Sequence, residues 1–428
     1  MNAKNESFPD GVLRLITAGS VDDGKSTLIG RLLYDSKGIF ADQLQAIARA
    51  RYRRVAGDGI DFSLLTDGLE AEREQGITID VAYRYFSTPR RKFIIADAPG
   101  HEQYTRNMVT GASTANAAIL LIDASRAAFG QLLPQTKRHS AIARLLGIRH
   151  IVVAVNKMDL VDWQREAFES IRSAYGDLAR RLGIAGFHIL PLSALHGDNV
   201  VTASARAPWY TEPPLLALLE SLPVADDRRD APLRLPVQWV LRHGGERLDG
   251  FRGYAGRVAS GTLRVGEALV VQPSGIEARV AGLSVSGREA EVAVAGDAVT
   301  VTLDRELDVS RGDLLSHPDS PARTGRRFEA ELCWLDASPL NPARRYLVKH
   351  GPRVTSARIL AIHARRDIHE LRELPGEGGT LSMNDIGRVS LITREALAAD
   401  RYEDLPANGA FILIDETSHQ TAAAGMLR

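Results

Sequence analysis

Gly19-Ser20-Val21-Asp22-Asp23-Gly24-Lys25-Ser26 has the composition and spacing of a loop that holds phosphates. Glycines at both ends let the backbone close around an anion, and the N–H groups opening the following helix point at it. The expected nucleotide contacts here are Gly19, Asp22, Asp23, Gly24, Lys25, Ser26 and Thr27, with Lys25 reaching the β and γ oxygens and the Ser26 hydroxyl on Mg²⁺. Taken alone, the stretch also fits a glycine-rich strand-to-helix turn. A second group, Asn156-Lys157-Met158-Asp159, names the base. The Asp159 carboxylate can accept two hydrogen bonds from the N1 and N2 donors of guanine. Adenine offers an acceptor at N1 and no 2-amino group, so the charge would be left unpaired. Sites built on such pairings reject the wrong analogue by roughly 10⁴- to 10⁵-fold in favourable cases. The two groups together point to GTP.

Three further segments answer separate requirements of phosphate chemistry. Glu72-Arg73-Glu74-Gln75-Gly76-Ile77-Thr78 offers Thr78, whose hydroxyl can complete a Mg²⁺ shell and whose backbone can sense a γ-phosphate. Phe93-Ile94-Ile95-Ala96-Asp97-Ala98-Pro99-Gly100 is an apolar run ending in Asp97, expected to hold Mg²⁺ through water, and Gly100, whose N–H can face the γ-phosphate. Ser193-Ala194-Leu195 follows another apolar run, and its backbone can reach guanine O6.

A histidine, His101, directly follows this Asp-x-Pro-Gly turn, and on that feature the chain resembles the translation-factor class of GTPases. The resemblance implies that His101 orients the attacking water and that Val21 and Ile77 form an apolar gate beside it. Ala98 stands where the class usually has threonine. Within the class, the chain resembles the GTPase (large) subunit of bacterial sulfate adenylyltransferase. The residues carrying this are the stretch from Gly19 through Tyr34-Asp35-Ser36-Lys37, residues 72–88, His101-Glu102-Gln103-Tyr104-Thr105-Arg106-Asn107-Met108, Pro208-Trp209-Tyr210, Asp249-Gly250-Phe251-Arg252-Gly253-Tyr254, Ser310-Arg311-Gly312-Asp313 and Asn384-Asp385-Ile386-Gly387. Thr417-Ser418-His419-Gln420 departs from the expected asparagine-bearing pattern. The resemblance implies GTP hydrolysis coupled to formation of adenosine 5′-phosphosulfate and pyrophosphate from ATP and sulfate. No second phosphate loop and no Ser-Gly-Gly-x-Asp-Ser loop follows residue 222. The adenylyl-transfer site is therefore expected on a separate small catalytic subunit of the ATP-pyrophosphatase type, and no fused kinase domain is expected. The alternative is a translation-factor-like GTPase that delivers an RNA or acts on the ribosome.

These residues need a scaffold, and the chain's patterning describes one. Up to about residue 222, apolar strands such as 12–18 and 151–155 alternate with helical stretches at 26–33, 134–146 and 163–182. That alternation predicts an α/β P-loop GTPase domain whose mostly parallel sheet carries helices on both faces. Beyond a polar, proline-bounded linker at 223–232, short Val- and Leu-rich runs separated by glycine turns predict a β-barrel. A hinge at Ser316-His317-Pro318-Asp319-Ser320-Pro321 precedes a second strand-rich region, expected to be another barrel. The expected domains are 1–224, 230–316 and 326–428. Residues 36–75, between the phosphate loop and Thr78, form an insertion with Leu44, Ile47, Arg51 and Val55 at near-helical spacing. It reads either as an amphipathic helix packed on its own domain or as a partner-contacting switch element.

Composition weighs against other classes, mildly so for RNA delivery. The 428 residues are 44% hydrophobic and 25% charged, as in globular proteins. With 53 basic and 53 acidic side chains, there is no basic excess of the kind nucleic-acid binding calls for. The first residues lack an apolar targeting core, and no apolar run is long enough for a membrane span, so a cytoplasmic protein without membrane or nucleic-acid partners is expected. The single cysteine, Cys333, excludes an internal disulfide and reads as structural.

Overall fold

In the computed structural model, the described residues are 11–36, 62, 81–100, 105–127, 129–224, 227–242, 251–367, 372–375 and 379–428. Ile77, Thr78, His101 and the 36–75 insertion, apart from Ser36 and Phe62, lie outside them. The chain divides into two compact units with the principal boundary at Val224.

The first unit is built on a sheet of β1 (Val12–Ala18), β2 (Ala82–Ser87), β3 (Lys92–Asp97), β4 (Ala117–Asp123), β5 (His150–Asn156) and β6 (His188–Pro191). Their order is β2-β3-β1-β4-β5-β6. All neighbours run parallel except β2, which is antiparallel to β3. Every residue of β4 is buried, as a central strand covered on both faces requires. Helices α1 (Lys25–Asp35), α2 (Thr105–Ala112), α3 (Pro134–Leu145) and α4 (Arg165–Leu182) connect the strands, and α5 (Leu215–Ser221) follows β6. Leu28, Ile29 and Leu32 of α1 pack with Leu13 and Leu15 of β1, Ile119 of β4 and Val152 of β5 in one core. Helix α4 has Glu166 in its first turn and Arg180 and Arg181 in its last, which complements the helix dipole, and it stops at Gly183 in the left-handed conformation. The parallel topology matters because it gathers the carboxyl ends of β1, β3, β4, β5 and β6 on one edge, where open α/β sheets bind ligands.

The second unit holds two antiparallel barrels. The first comprises β7 (Leu235–Arg242), β8 (Arg252–Arg257), β9 (Ala268–Gln272), β10 (Ile276–Val285), β11 (Ala298–Leu303) and β12 (Leu314–Ser316). Their pairing runs β9-β12-β7-β8-β11-β10, and β10 returns to β9 to close the ring. Inward residues Leu235, Tyr254, Leu269, Val280, Val301 and Leu315 fill it. The second comprises β13 (Arg323–Trp334), β14 (Tyr346–His350), β15 (Arg353–Asp367), β16 (Ile386–Ala399), β17 (Ala410–Asp415) and β18 (Thr421–Leu427). Pairing of β14 with both β17 and β15 closes this ring. Cys333 is buried within β13.

The barrels meet through buried ions. Arg234 is 3% exposed and forks onto both oxygens of Asp400 at 2.7 and 2.8 Å. Asp400 also accepts from Asn408 Nδ2 at 2.7 Å, and His350 Nε2 lies 2.8 Å from the Asn408 carbonyl. Arg353 Nη2 also reaches Asp313 Oδ1 at 2.5 Å, by a single contact, while its Nε donates to the Gly312 carbonyl at 3.1 Å. The planar two-point pairing of Arg234 with Asp400 fixes orientation as well as distance.

Candidate functional site

Strand β1 runs into a tight loop because Asp22 and Gly24 adopt positive φ, 65° and 91°. Gly24 cannot be replaced by a residue with a side chain, since a Cβ there would run into the Asn156 amide. The loop is braced from inside. Ser20 N–H donates to Asp23 Oδ2 at 2.6 Å, while Lys25 Nζ donates to the carbonyls of Ser20 at 2.7 Å and Gly19 at 3.2 Å. Burial pushes the Asp23 carboxyl up to about 6, against the lowering pull of Lys25, the Ser20 N–H and Arg126. Burial also lowers the Lys25 ammonium, against the raising pull of Asp97, Asp23 and Asp22. A buried cation beside open backbone is an anion receptor. Val21 and Thr27 are half-buried in the same loop and first helical turn.

Asp97, at the end of β3, is 1% exposed. It accepts from Thr17 Oγ1 at 3.0 Å and lies 3.4 Å from the donating Ser26 hydroxyl. Hydroxyl and carboxylate oxygens side by side are hard donors suited to Mg²⁺. Gly100 sits against the phosphate loop so closely that a Cβ would come within 2.5 Å of Lys25 Nζ and 3.0 Å of the Gly19 carbonyl.

Asn156 joins this end to the other. Its Nδ2 donates to the Asp23 carbonyl at 2.8 Å, and its Oδ1 accepts the Ala194 N–H at 2.9 Å. Lys157 takes a left-handed backbone (φ 61°) and donates to Asp123 Oδ2 at 2.8 Å. A non-glycine residue held there signals a site that is over-determined by its surroundings. Burial works against the Asp123 carboxylate, yet the hydrogen bonds from Lys157 and Ser125 hold it below the usual carboxylate range. Asp159 lies in the turn Met158–Val161; its Oδ2 is 3.8 Å from His196 Nε2, while its buried Oδ1 has no hydrogen-bond partner. Buried carboxylate oxygens are normally paired, so this one marks a place for a donor. Ser193 N–H donates to the Asp198 carbonyl at 3.1 Å and Ala194 N–H to Asn156. Of the three residues, only Leu195 has an N–H without a hydrogen bond among the described residues.

The structure thus brings Gly19, Val21, Asp22, Asp23, Gly24, Lys25, Ser26, Thr27, Asp97, Gly100, Asn156, Lys157, Asp159, Ser193, Ala194 and Leu195 to the carboxyl edge of one sheet. It adds residues that carry no motif of their own. Asp123 ends β4 and receives Lys157, and Arg126 donates to the Val21 carbonyl at 2.9 Å with Asp23 Oδ1 3.7 Å away. Arg31 of α1 donates to the Leu195 carbonyl at 3.4 Å and stacks over the Phe62 ring at 5.1 Å. The one signal available beforehand was the carboxylate of Asp123, which closes an apolar strand just as Asp97 does.

A β1-loop-α1 phosphate cradle and a guanine-type reader on one parallel sheet, with two closed barrels in the same chain, define a GTPase of the translation-factor class. Residues 10–224 match the Elongation factor Tu GTP binding domain, and 327–428 match the GTP-eEF1A C-terminal domain-like family. The chain is 48% identical to sulfate adenylyltransferase subunit 1 of Saccharophagus degradans, covering 97% of this chain and 86% of that one, and 50% identical to the same subunit of Chromobacterium violaceum with the same coverage. It is 49% identical to the bifunctional enzyme CysN/CysC of Mycobacterium tuberculosis, covering 97% of this chain and 67% of that protein. The chain belongs to the sulfate adenylyltransferase subunit 1 family. Among the described residues, no helix is long and apolar enough to cross a membrane.

Proposed function

We propose that the chain is the GTP-hydrolysing subunit of a sulfate-adenylylating complex. Its hydrolysis is coupled to formation of adenosine 5′-phosphosulfate and pyrophosphate by a separate catalytic subunit of the ATP-pyrophosphatase type. The observation that carries the reading is the Asn156 bridge between the phosphate loop and the Ser193-Ala194-Leu195 loop, in a chain about half identical to named subunits of that enzyme. The functional division is into 1–224 for nucleotide, and 230–316 and 326–428 for the barrels. The protein works in the cytoplasm, without nucleic acid or membrane.

In this reading guanine lies against Asp159, whose Oδ1 takes one base donor, and the Leu195 N–H serves guanine O6. Lys157 is held by Asp123 so that its stem lines the base. At the other end, a triphosphate replaces the Gly19 and Ser20 carbonyls as the acceptor for Lys25, which restores the charge balance that burial denies the ammonium. Ser26, Thr78 and, through water, Asp97 would hold Mg²⁺, which neutralises charge on the β and γ oxygens when bound. His101 orients a water whose oxygen bonds to the γ-phosphorus as the bond to the GDP oxygen breaks. The water's proton leaves to phosphate oxygen, so that GDP and inorganic phosphate are the products. Gly100 N–H and Lys25 face the charge that develops. Val21 and Ile77 form the apolar gate on His101.

The test is GTP turnover by the full chain with its partner subunit, with and without ATP plus sulfate. Stimulation by the two substrates together is expected. Equal turnover in both conditions, or stimulation by ribosomes instead, would overturn the reading in favour of the translation-factor alternative.

A further inference from the structure

Helix α3 opens at Pro134 with Leu133 as its cap residue, and its first turn touches Gly100. Gln135 Nε2 donates to the Gly100 carbonyl at 3.1 Å, and Gln135 Oε1 accepts from Arg138 Nη1 at 2.6 Å. The chemistry fixes the amide's direction. A guanidinium only donates and a carbonyl only accepts, so the Gln135 oxygen faces Arg138 and its NH₂ faces Gly100. Arg138 is itself 8% exposed, so this brace is anchored in the protein interior rather than in solvent.

Gly100 is pressed between two constraints. On one side Lys25 Nζ and the Gly19 carbonyl leave no room for a side chain. On the other, Gln135 holds the carbonyl of the peptide that joins Gly100 to residue 101. We propose that Gln135, buttressed by Arg138, is a positioning residue for GTP hydrolysis: it holds the Gly100 carbonyl in place and acts on the reaction through His101, the next residue in the sequence. This rests on reading the site as one that hydrolyses GTP.

The test uses the full chain and four variants: Gln135→Glu, Gln135→Ala, His101→Ala and the double variant Gln135→Ala/His101→Ala. The carboxylate introduced by Q135E would keep the shape and strengthen the pairing with Arg138, but while ionised it turns an acceptor toward the Gly100 carbonyl, so the hydrogen bond is replaced by a repulsive contact; Q135A removes the hydrogen bond without adding charge. Q135E and Q135A are both expected to lower kcat about tenfold with KM and melting temperature close to those of the parent, the size of one lost orienting contact. The double variant is expected to be no slower than H101A alone, because a group that acts through the imidazole loses its effect when the imidazole is gone. Parental kcat in both Gln135 variants with a slow H101A would overturn this inference and leave the hydrolysis reading standing. Losses that multiply in the double variant would likewise overturn it, showing a general structural role. A parental rate in H101A would remove the hydrolysis reading and this inference with it.

Discussion

Buried polar atoms are treated in opposite ways in the two units. In the nucleotide-binding unit Ser20 Oγ, Asp23 Oδ1 and Asp159 Oδ1 at the site are buried without a hydrogen bond, and so are His139 Nδ1 in α3 and Trp163 Nε1 just before α4. Where the barrels meet, Arg234, Asp400, Asn408 and His350 are bonded in a continuous chain; in that unit the buried atom without a partner, among the described residues, is Arg252 Nε. An open valence in a low-dielectric place costs free energy that the fold must make up elsewhere. Its persistence at three points around one sheet edge is the mark of a site, and the closed network is the mark of a joint.

The contrast makes graded predictions. Asp159→Asn is expected to exchange GTP preference for xanthosine triphosphate, changing selectivity by roughly 10⁴-fold while altering stability by about 1 kcal/mol or less; competition binding measures the first and urea denaturation the second. Retained GTP preference would show that Asp159 does not read the base. At the joint the order is reversed. Arg234→Ala leaves the largely enclosed Asp400 carboxylate with the Asn408 amide as its remaining partner and should cost on the order of 3 kcal/mol of stability, with nucleotide selectivity unchanged. A loss under about 1 kcal/mol would mean that the pair is not the bolt its geometry suggests.

His101→Ala should leave GTP affinity near the parental value and cut turnover by roughly 10²-fold, as single-turnover measurements would reveal. Smallest are the pH effects. Asp23 is held up to about 6 by burial, from an ordinary 3.8, so its contribution to stability is full below about 3.8 and is lost as pH rises through about 6. His139 is the opposite case: burial, with Lys25 and Arg138 nearby, holds it down to about 3 from 6.5. Its contribution is present above 6.5 and is lost as pH falls toward 3. The two oppose each other between about pH 4 and 6. Asp23→Asn removes only the first, so the variant should gain on the parent by on the order of 2 kcal/mol between about pH 4 and 7; parallel stability curves would contradict the assignment.

Much of the architecture is legible in the sequence. The loop at 19–26 and the reader at 156–159 depend on local backbone geometry that only certain residue types permit, as the left-handed Gly24 and Lys157 now illustrate. Alternating strands and helices specified the parallel sheet, and short glycine-punctuated runs specified barrels. Ring closure was not legible, since the pairing of β9 with β10 or β14 with β15 and β17 depends on register between segments far apart. Nor were Arg126, Arg31 or Gln135, whose hydrogen bonds span 105, 164 and 35 positions. Each acts by where the fold delivers it, and none belongs to a local pattern. The departure at Thr417-Ser418-His419-Gln420 turned out harmless to the barrel, because Asp415 Oδ1 accepts the N–H groups of Thr417 and Ser418 and closes that turn itself.

One amide, that of Asn156, touches the cradle with its nitrogen and the base loop with its oxygen. Pulling on either end therefore moves the other. A bare triphosphate or a free nucleoside engages one arm of this crossbar and leaves the second arm's alignment unrewarded, so the intact nucleotide should bind more tightly than its two fragments' affinities combined would suggest. In the proposed reading, one side chain then couples recognition of the base to recognition of the phosphate tail.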